Sequence, residues 1–521
     1  MTRPKSPPPE QEKRLAEANA KIGRNPGDWQ AFLARAVIHK QLERYPEALA
    51  DCSAALELQP GNAHILVDRA AIYRLMNENR LALDDLTEAI NSDPTLGQAF
   101  YQRARCMDDM GQPERAIADY GKCLKLMPDK PHGYFSRGEA FMKLKQYDAA
   151  VADLSKAITL APKVAASYSL RALAYYSLKQ LDKSLADYQM AVTLEPDNPL
   201  YLHNCGVAYF ELKQYKQAIV EFDKAVHLAP KQVESFFFRG RCYTGLSQLR
   251  PAIKDFDKVL ALNSNHKEAL SARGMALLEL KDYRALAEND DRLLAIDSRN
   301  ADAYYRRGLA DLANRLIDRA MQDFTMAIIN RPTFAAAYEE RARIHAMRAD
   351  KLSALSDLTA AIEHGLDDPV VFALHGKLMK EKGDFATALA DYDRAIEGLP
   401  ESVELYRDRG ETHYRLRNYP QAVADFLHCA QIRPNDPVLR FNLGSAYYES
   451  GQMDEALESF SRAIALDRND LPSYLSRADI YFVRGDFKRA TDDYRKVVQS
   501  ARDPKTKQLA EERLAQIAAM K

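Results

Sequence analysis

The sequence predicts an all-α protein, a solenoid of fourteen helix-turn-helix units with a capping helix at each end. Three observations predict it. From Trp29 to Pro504 the chain repeats itself every 34 residues without insertion or deletion, which is the signature of an array whose units touch only their neighbours. Within a unit, apolar or small side chains at positions 4, 7/8 and 11 form one helical stripe, and those at 17, 20, 24 and 27/28 form a second. Two short helices therefore pair as an antiparallel hairpin, which cannot bury its own stripes without neighbours. Proline at position 32, as in Pro60, Pro94, Pro128 and Pro162, stops the second helix.

Residues 1–9 are proline-rich and are expected to be a disordered tail, because consecutive prolines disfavour a helix. Residues 10–28 read as a capping half unit: a helix over 10–24 places Leu15, Ala18 and Ile22 on one face, and Pro26 falls on position 32 of the register. The fourteen full units, residues 29–504, begin at Trp29, Ala63, Gly97, Pro131, Ala165, Pro199, Val233, Lys267, Ala301, Ala335, Pro369, Val403, Pro437 and Leu471. Position 20 is alanine in all but two of them, Ser184 and Leu286 being the exceptions. Residues 505–521 read as a C-terminal capping helix with Leu509, Leu514 and Ile517. On strict 34-residue spacing Glu511 and Glu512 fall on positions 7 and 8, so this helix does not fit the first half of another unit.

The unit from Pro131 to Val164 carries Tyr134, Gly138, Phe141, Tyr147, Ala150, Leu154, Ala157 and Pro162 at positions 4, 8, 11, 17, 20, 24, 27 and 32. This pattern resembles the tetratricopeptide repeat (TPR), with small residues at 8, 20 and 27 and bulky ones at 4, 11, 17 and 24. The resemblance implies a right-handed α-α superhelix. It also implies a non-enzymatic scaffold that binds partner peptide segments or helices in its concave groove.

Two charged positions depart from that pattern. Position 7 is arginine in eleven units and position 23 is aspartate in eleven, for example Arg137 and Asp153. Both lie eight residues from a turn near position 15, so they should meet as an ion-pair ladder inside the hairpins. Unit eight is the most irregular: Leu286, Asp290 and Leu293 replace the expected residues at 20, 24 and 27, and Ser264 and Ser298 replace proline at 32 in units seven and eight. That stretch reads either as a tolerated weak repeat or as a hinge.

Composition excludes several classes. The chain carries 73 basic and 74 acidic residues, a net charge of −1, so no global bias toward nucleic acid or an anionic membrane exists. No apolar run approaches the roughly 18 residues of a membrane span, so membrane insertion is not expected. The start, MTRPKSPPPEQEKR, lacks the apolar core of a secretory signal, and a cytoplasmic location is expected. All six cysteines occupy packing positions of the register and are expected to be buried, reduced thiols. Their spacing gives no metal site, no cofactor is implied, and no catalytic residue is assigned.

The remaining surface is the stripe at positions 2, 5, 9 and 12 of the first helices, which in proteins resembling this one lines the groove. In the twelfth unit it is polar, with Glu404, Arg407, Asp408, Glu411 and Arg415 nearby. In units five to nine it is apolar, and the candidate partner-binding residues are Leu173, Tyr176, His203, Val207, Phe210, Phe237, Arg241, Met275, Tyr305 and Leu309. Such a stripe either receives a partner or is covered by the neighbouring first helices. Arg241 and Glu234 are charges that could orient a bound segment. A chaperone-tail carboxylate clamp cannot be assembled, since Asn204 and Asn442 at position 6 lack the required basic neighbours. The alternatives are an RNA-binding helical array, disfavoured by charge, or a self-associating subunit of a larger complex.

Overall fold

Each unit folds into two antiparallel α-helices; in the fourth they are Pro131–Lys143 and Tyr147–Leu160. The computed structural model describes residues 9–520, which form thirty α-helices and, among the described residues, no strand. The expectation for residues 1–8 lies outside the described residues, whereas Pro9 opens the N-terminal helix, Pro9–Arg24. The chain divides into two compact units, Met1–Leu280 and Lys281–Lys521, with the boundary inside the irregular eighth repeat.

Local chemistry sets the helix ends. Several first helices start under an Asp or Asn cap, as where the Asp28 carboxylate accepts from the Ala31 N–H and the Asn62 side chain accepts from His64 and Ile65, or on proline at the first helical position, as at Pro131 and Pro199. The turn places a left-handed residue at position 15. It is glycine at Gly111, Gly383, Gly451 and Gly485, but an L-residue at the other ten, among them Lys145 (φ 58°) and Ala349 (φ 58°).

The small position 8 and the bulky position 24 interlock. A Cβ added at Gly206 would lie 2.7 Å from the Phe222 ring, so glycine there admits the aromatic of the facing helix. Alanine at position 20 is fully buried wherever it occurs, as at Ala48, Ala150 and Ala388. The exception Ser184 is also buried and donates its hydroxyl to the Ala172 carbonyl at 2.8 Å, which satisfies the extra polar atom.

The arginine and aspartate pairs form as expected. In all ten repeats that carry both residues, Arg Nε and Nη2 meet the two carboxylate oxygens, as for Arg137 with Asp153 at 2.6 and 2.7 Å. The ladder is not confined to the hairpins, however. The remaining Nη1 often reaches position 25 of the preceding repeat: Arg239 to Asp223 at 2.7 Å, Arg409 to Asp393 at 2.6 Å, Arg171 to Ser155 at 2.9 Å and Arg477 to Ser461 at 3.0 Å. One guanidinium thus ties two hairpins together. In repeat eleven His375 takes the arginine's place, with Nδ1 2.6 Å from Asp391 and Nε2 3.1 Å from Thr359 of the preceding repeat.

The second unit explains one oddity of repeat eight. Asp290, where a bulky apolar residue was expected, is 0% exposed and accepts from Nε and Nη2 of Arg306, itself 4% exposed, at 2.9 and 2.8 Å. Asn289 Nδ2 donates to the same carboxylate at 3.1 Å. A polar core has replaced the apolar one, and burial pushes the Asp290 carboxyl upward.

Candidate functional site

The candidate residues fall in both compact units, and each unit is described by itself. In the first unit they stand on four first helices: Ala165–Ser177, Pro199–Glu211, Val233–Gly245 and Lys267–Glu279. Position 5 of repeats six and seven supplies His203 and Phe237, and position 12 of repeat six supplies Phe210. Helical spacing turns these rings toward one side, where they form a connected cluster around Phe238. The Phe238 ring lies 5.4 Å from Phe210, 5.8 Å from Phe237, 5.9 Å from His203 and 6.2 Å from the core ring of Phe222, separations at which aromatic pairs attract. The cluster continues to His266, 5.0 Å from Phe237.

Arg241 lies over this cluster. Its guanidinium carbon is 4.6 Å from the Phe210 centroid and 5.9 Å from both Phe237 and Phe238, a cation–π arrangement. The residue is exposed, and among the described residues no carboxylate lies within ion-pair distance of it. His203 is half-buried, with Nδ1 2.9 Å from the Ser235 hydroxyl, and burial lowers its pKa from the ordinary value. Tyr176 donates to Glu211 at 3.3 Å, linking the first helices of repeats five and six.

Both readings of the apolar stripe hold in part. Leu173 (44%), Leu200 (54%) and Met275 (53%) are open to solvent. Val207, Phe210 and Phe238 are partly buried against the core built on Ala218, Phe222 and Cys242. In the second unit Tyr305 is half-buried, 4.9 Å from the Phe334 ring and 5.8 Å from Phe324, and Leu309 packs on the Ala320, Phe324 and Ile344 core. Burial, with Glu340 and Glu339 nearby, pushes the Tyr305 phenol up to about 12. These two are packing residues first.

Two features lie outside the candidate residues. Phe238, legible in the sequence beside Phe237 on the apolar stripe of repeat seven but not chosen as a site residue, is the hub of the cluster; of the run Phe236, Phe237, Phe238 the helix buries the first and half-exposes the others. In the second unit, a cavity of about 520 Å³ opens between Tyr414 of repeat twelve and Phe441 of repeat thirteen, with Glu411, Arg415 and Asn442 at its walls. The stripe of repeat twelve alone is polar, and the cavity becomes visible only when adjacent repeats are placed side by side.

Among the described residues no three His, Cys, Asp or Glu side chains gather as a metal site, and no helix is long and apolar enough to cross a membrane. All six cysteines are free and buried, and burial pushes their thiols up, to about 11 for Cys106 and about 12 for Cys52.

Sequence models of the tetratricopeptide repeat match residues 13–63, 98–129, 138–179, 172–213, 199–232, 376–440 and 437–470. The chain is a tetratricopeptide-repeat protein. As a TPR protein it belongs among protein-interaction scaffolds in general. Solved structures similar to this TPR protein include YrrB, described as a TPR protein with an unusual peptide-binding site, at 24% identity over 35% of this chain and 95% of that one (TM-score 0.33). Another is MamA from Desulfovibrio magneticus RS-1, residues 41 to the end, at 27% identity over 33% and 97% (TM-score 0.32). A third is a TPR protein from Parabacteroides merdae, at 17% identity over 48% and 98% (TM-score 0.36). No curated protein sequence matches the chain.

Proposed function

We propose that this TPR protein is a non-enzymatic scaffold that receives a partner peptide segment or helix along the first helices of repeats five to eight. The observation that carries the reading is the exposed Arg241 guanidinium resting on Phe210, Phe237 and Phe238 without an acidic partner among the described residues. A hydrophobic surface holding one unneutralised cation favours a segment with apolar anchors and a carboxylate. Leu173 and Met275 extend the surface on either side.

The six thiols and His375 are engaged in packing, which supports the non-enzymatic part. The thiols are buried and protonated at neutral pH, and His375 is held between Asp391 and Thr359. An RNA-binding role gains little support, since ten ladder arginines are already neutralised by aspartate. Six free thiols fit a reducing, cytoplasmic compartment.

Affinity purification with cross-linking, comparing the wild-type chain with L173E/M275E and R241E, tests the proposal. Both changes lie at exposed positions, so helix content should stay unchanged. Loss of the same cross-linked partner in both variants is expected; a partner retained by both would overturn the site.

A further inference from the structure

The cavity between repeats twelve and thirteen has a filled counterpart between repeats six and seven. There, Phe210 at position 12 of one first helix and Phe237, Phe238 and Arg241 at positions 5, 6 and 9 of the next close over the core ring Phe222 at position 24. Phe238 stacks on Phe222 with centroids 6.2 Å apart and an interplanar angle of 18°. The Arg241 guanidinium carbon lies 4.6 Å from the Phe210 centroid. One ring and one guanidinium, both supplied by repeat seven, fill the space between the two first helices.

Repeats twelve and thirteen keep the aromatic walls and lose the filling. Tyr414, Phe441 and Phe426 stand at positions 12, 5 and 24, matching Phe210, Phe237 and Phe222, whereas Asn442 and Ser445 replace Phe238 and Arg241. The two shorter side chains leave a cavity of about 520 Å³, within the range of about 300 to 1,000 Å³ usual for a ligand pocket. One further exchange sets its charge. Position 9 of the earlier repeat is Val207 in repeat six but Glu411 in repeat twelve, so a carboxylate shares the walls with the rings. Glu411 Oε2 accepts from Lys380 at 3.1 Å, while the nearest cation to Oε1, Arg407 Nε, is 3.9 Å away and beyond hydrogen-bond reach. Ser445 donates its hydroxyl to the Phe441 carbonyl at 3.0 Å, so its oxygen offers lone pairs alone. Asn442 has no hydrogen-bond partner among the described residues.

We propose that this cavity receives the guanidinium of an arginine carried by a partner protein segment. The guanidinium takes the place against Tyr414 and Phe441 that Arg241 takes against Phe210 and Phe237. Glu411 Oε1, Asn442 Oδ1 and Ser445 Oγ are the acceptors on the walls for its N–H groups. Arginine suits the cavity better than lysine, because a planar cation covers an aromatic face and meets several acceptors at once. Arg415 is the opposing charge; it is exposed, and it weakens the attraction without filling the space. The site lies wholly within the second compact unit and does not rest on the surface of repeats five to eight.

Saturation-transfer NMR on the full 58.9 kDa chain, with the capped peptide Ac-Ala-Arg-Ala-NH2 and its lysine, norleucine and glutamate counterparts, tests the proposal. The arginine peptide should bind, the lysine peptide more weakly, and the glutamate peptide not at all. E411Q should weaken the arginine peptide by about two- to fivefold, the size of a part-exposed ion pair, and R415Q should strengthen it by about twofold. N442F/S445R restores the filling of repeat seven and should abolish binding. Circular dichroism confirms that helix content is kept; should that variant lose helix, S445R alone, at a half-exposed position, replaces it. R241E should leave this binding unchanged, so that failure of the surface in repeats five to eight and failure of this cavity are separate results. An arginine peptide that does not bind, or that binds N442F/S445R as it binds the wild type, overturns the proposal. A norleucine peptide that binds as tightly as the arginine peptide overturns it too, because apolar contact then accounts for occupancy. Preferred binding of the glutamate peptide, lost in R415Q, overturns it in favour of a carboxylate.

Discussion

Arg137 and Asp153 are joined by two parallel hydrogen bonds, Nε to Oδ2 at 2.6 Å and Nη2 to Oδ1 at 2.7 Å, across the hairpin of repeat four. The aspartate is buried and the arginine about a quarter exposed. Removing either partner strands the other, and removing both strands neither. R137L or D153L should therefore cost about 2 to 4 kcal/mol, whereas R137L/D153L should cost clearly less than the two singles added. Denaturant midpoints of the three variants check this, and additive losses would refute the coupling.

The pair Arg306 and Asp290 is more deeply buried, and the same logic applies with a larger single cost. R306M should lose about 3 to 5 kcal/mol, since it leaves a carboxylate in an apolar site, and R306M/D290L should recover most of the loss. Hydrogen exchange in Ala301–Ala313 should rise in the single variant and return toward the wild-type rate in the double.

Burial lowers the pKa of His203, and Glu234 opposes that shift only in part. The unfolded chain therefore takes up the proton first as pH falls. The neutral ring contributes stability above the ordinary histidine pKa of about 6.5, and that contribution is lost as pH falls through and below this value. Comparing wild type with H203F at pH 8, 7, 6 and 5.5 should show a gap that opens only on the acid side. A gap constant with pH would assign the His203 contribution to packing alone.

Ala349 holds a left-handed backbone at φ 58° with no side-chain polar group to compensate. A349G removes the Cβ conflict at some cost in backbone entropy and should raise stability by about 0.5 to 1 kcal/mol. Gly383, at the same place in the next repeat, already has the favourable residue, so G383A should destabilise by a comparable amount. Thermal melts of both variants measure the difference.

The repeat boundaries and the Arg/Asp pairing were legible because they depend on short-range geometry. Positions 7 and 23 are equidistant from the turn, so any antiparallel hairpin brings them level. The reach of Arg239 Nη1 to Asp223 was not legible, since it depends on how one hairpin stacks on the previous one. The stripe of candidate residues was read as a face, yet Val207 and Leu309 are drawn into core clusters while Leu173 and Met275 stay open. Helical periodicity gives the direction of a side chain; the neighbouring helix decides whether that direction ends in solvent.

By itself the sequence determined an all-α array of 34-residue hairpins, the residues that close each hairpin and the buried state of the cysteines, because each follows from a pattern repeated many times along one chain. Only tertiary structure decided which rings gather on Phe238 and that Arg306 satisfies Asp290. The reason is physical. A helix fixes angles at a spacing of 3.6 residues per turn, whereas the distance between side chains of different hairpins is set by how their surfaces interlock, and no position along the chain encodes that alone.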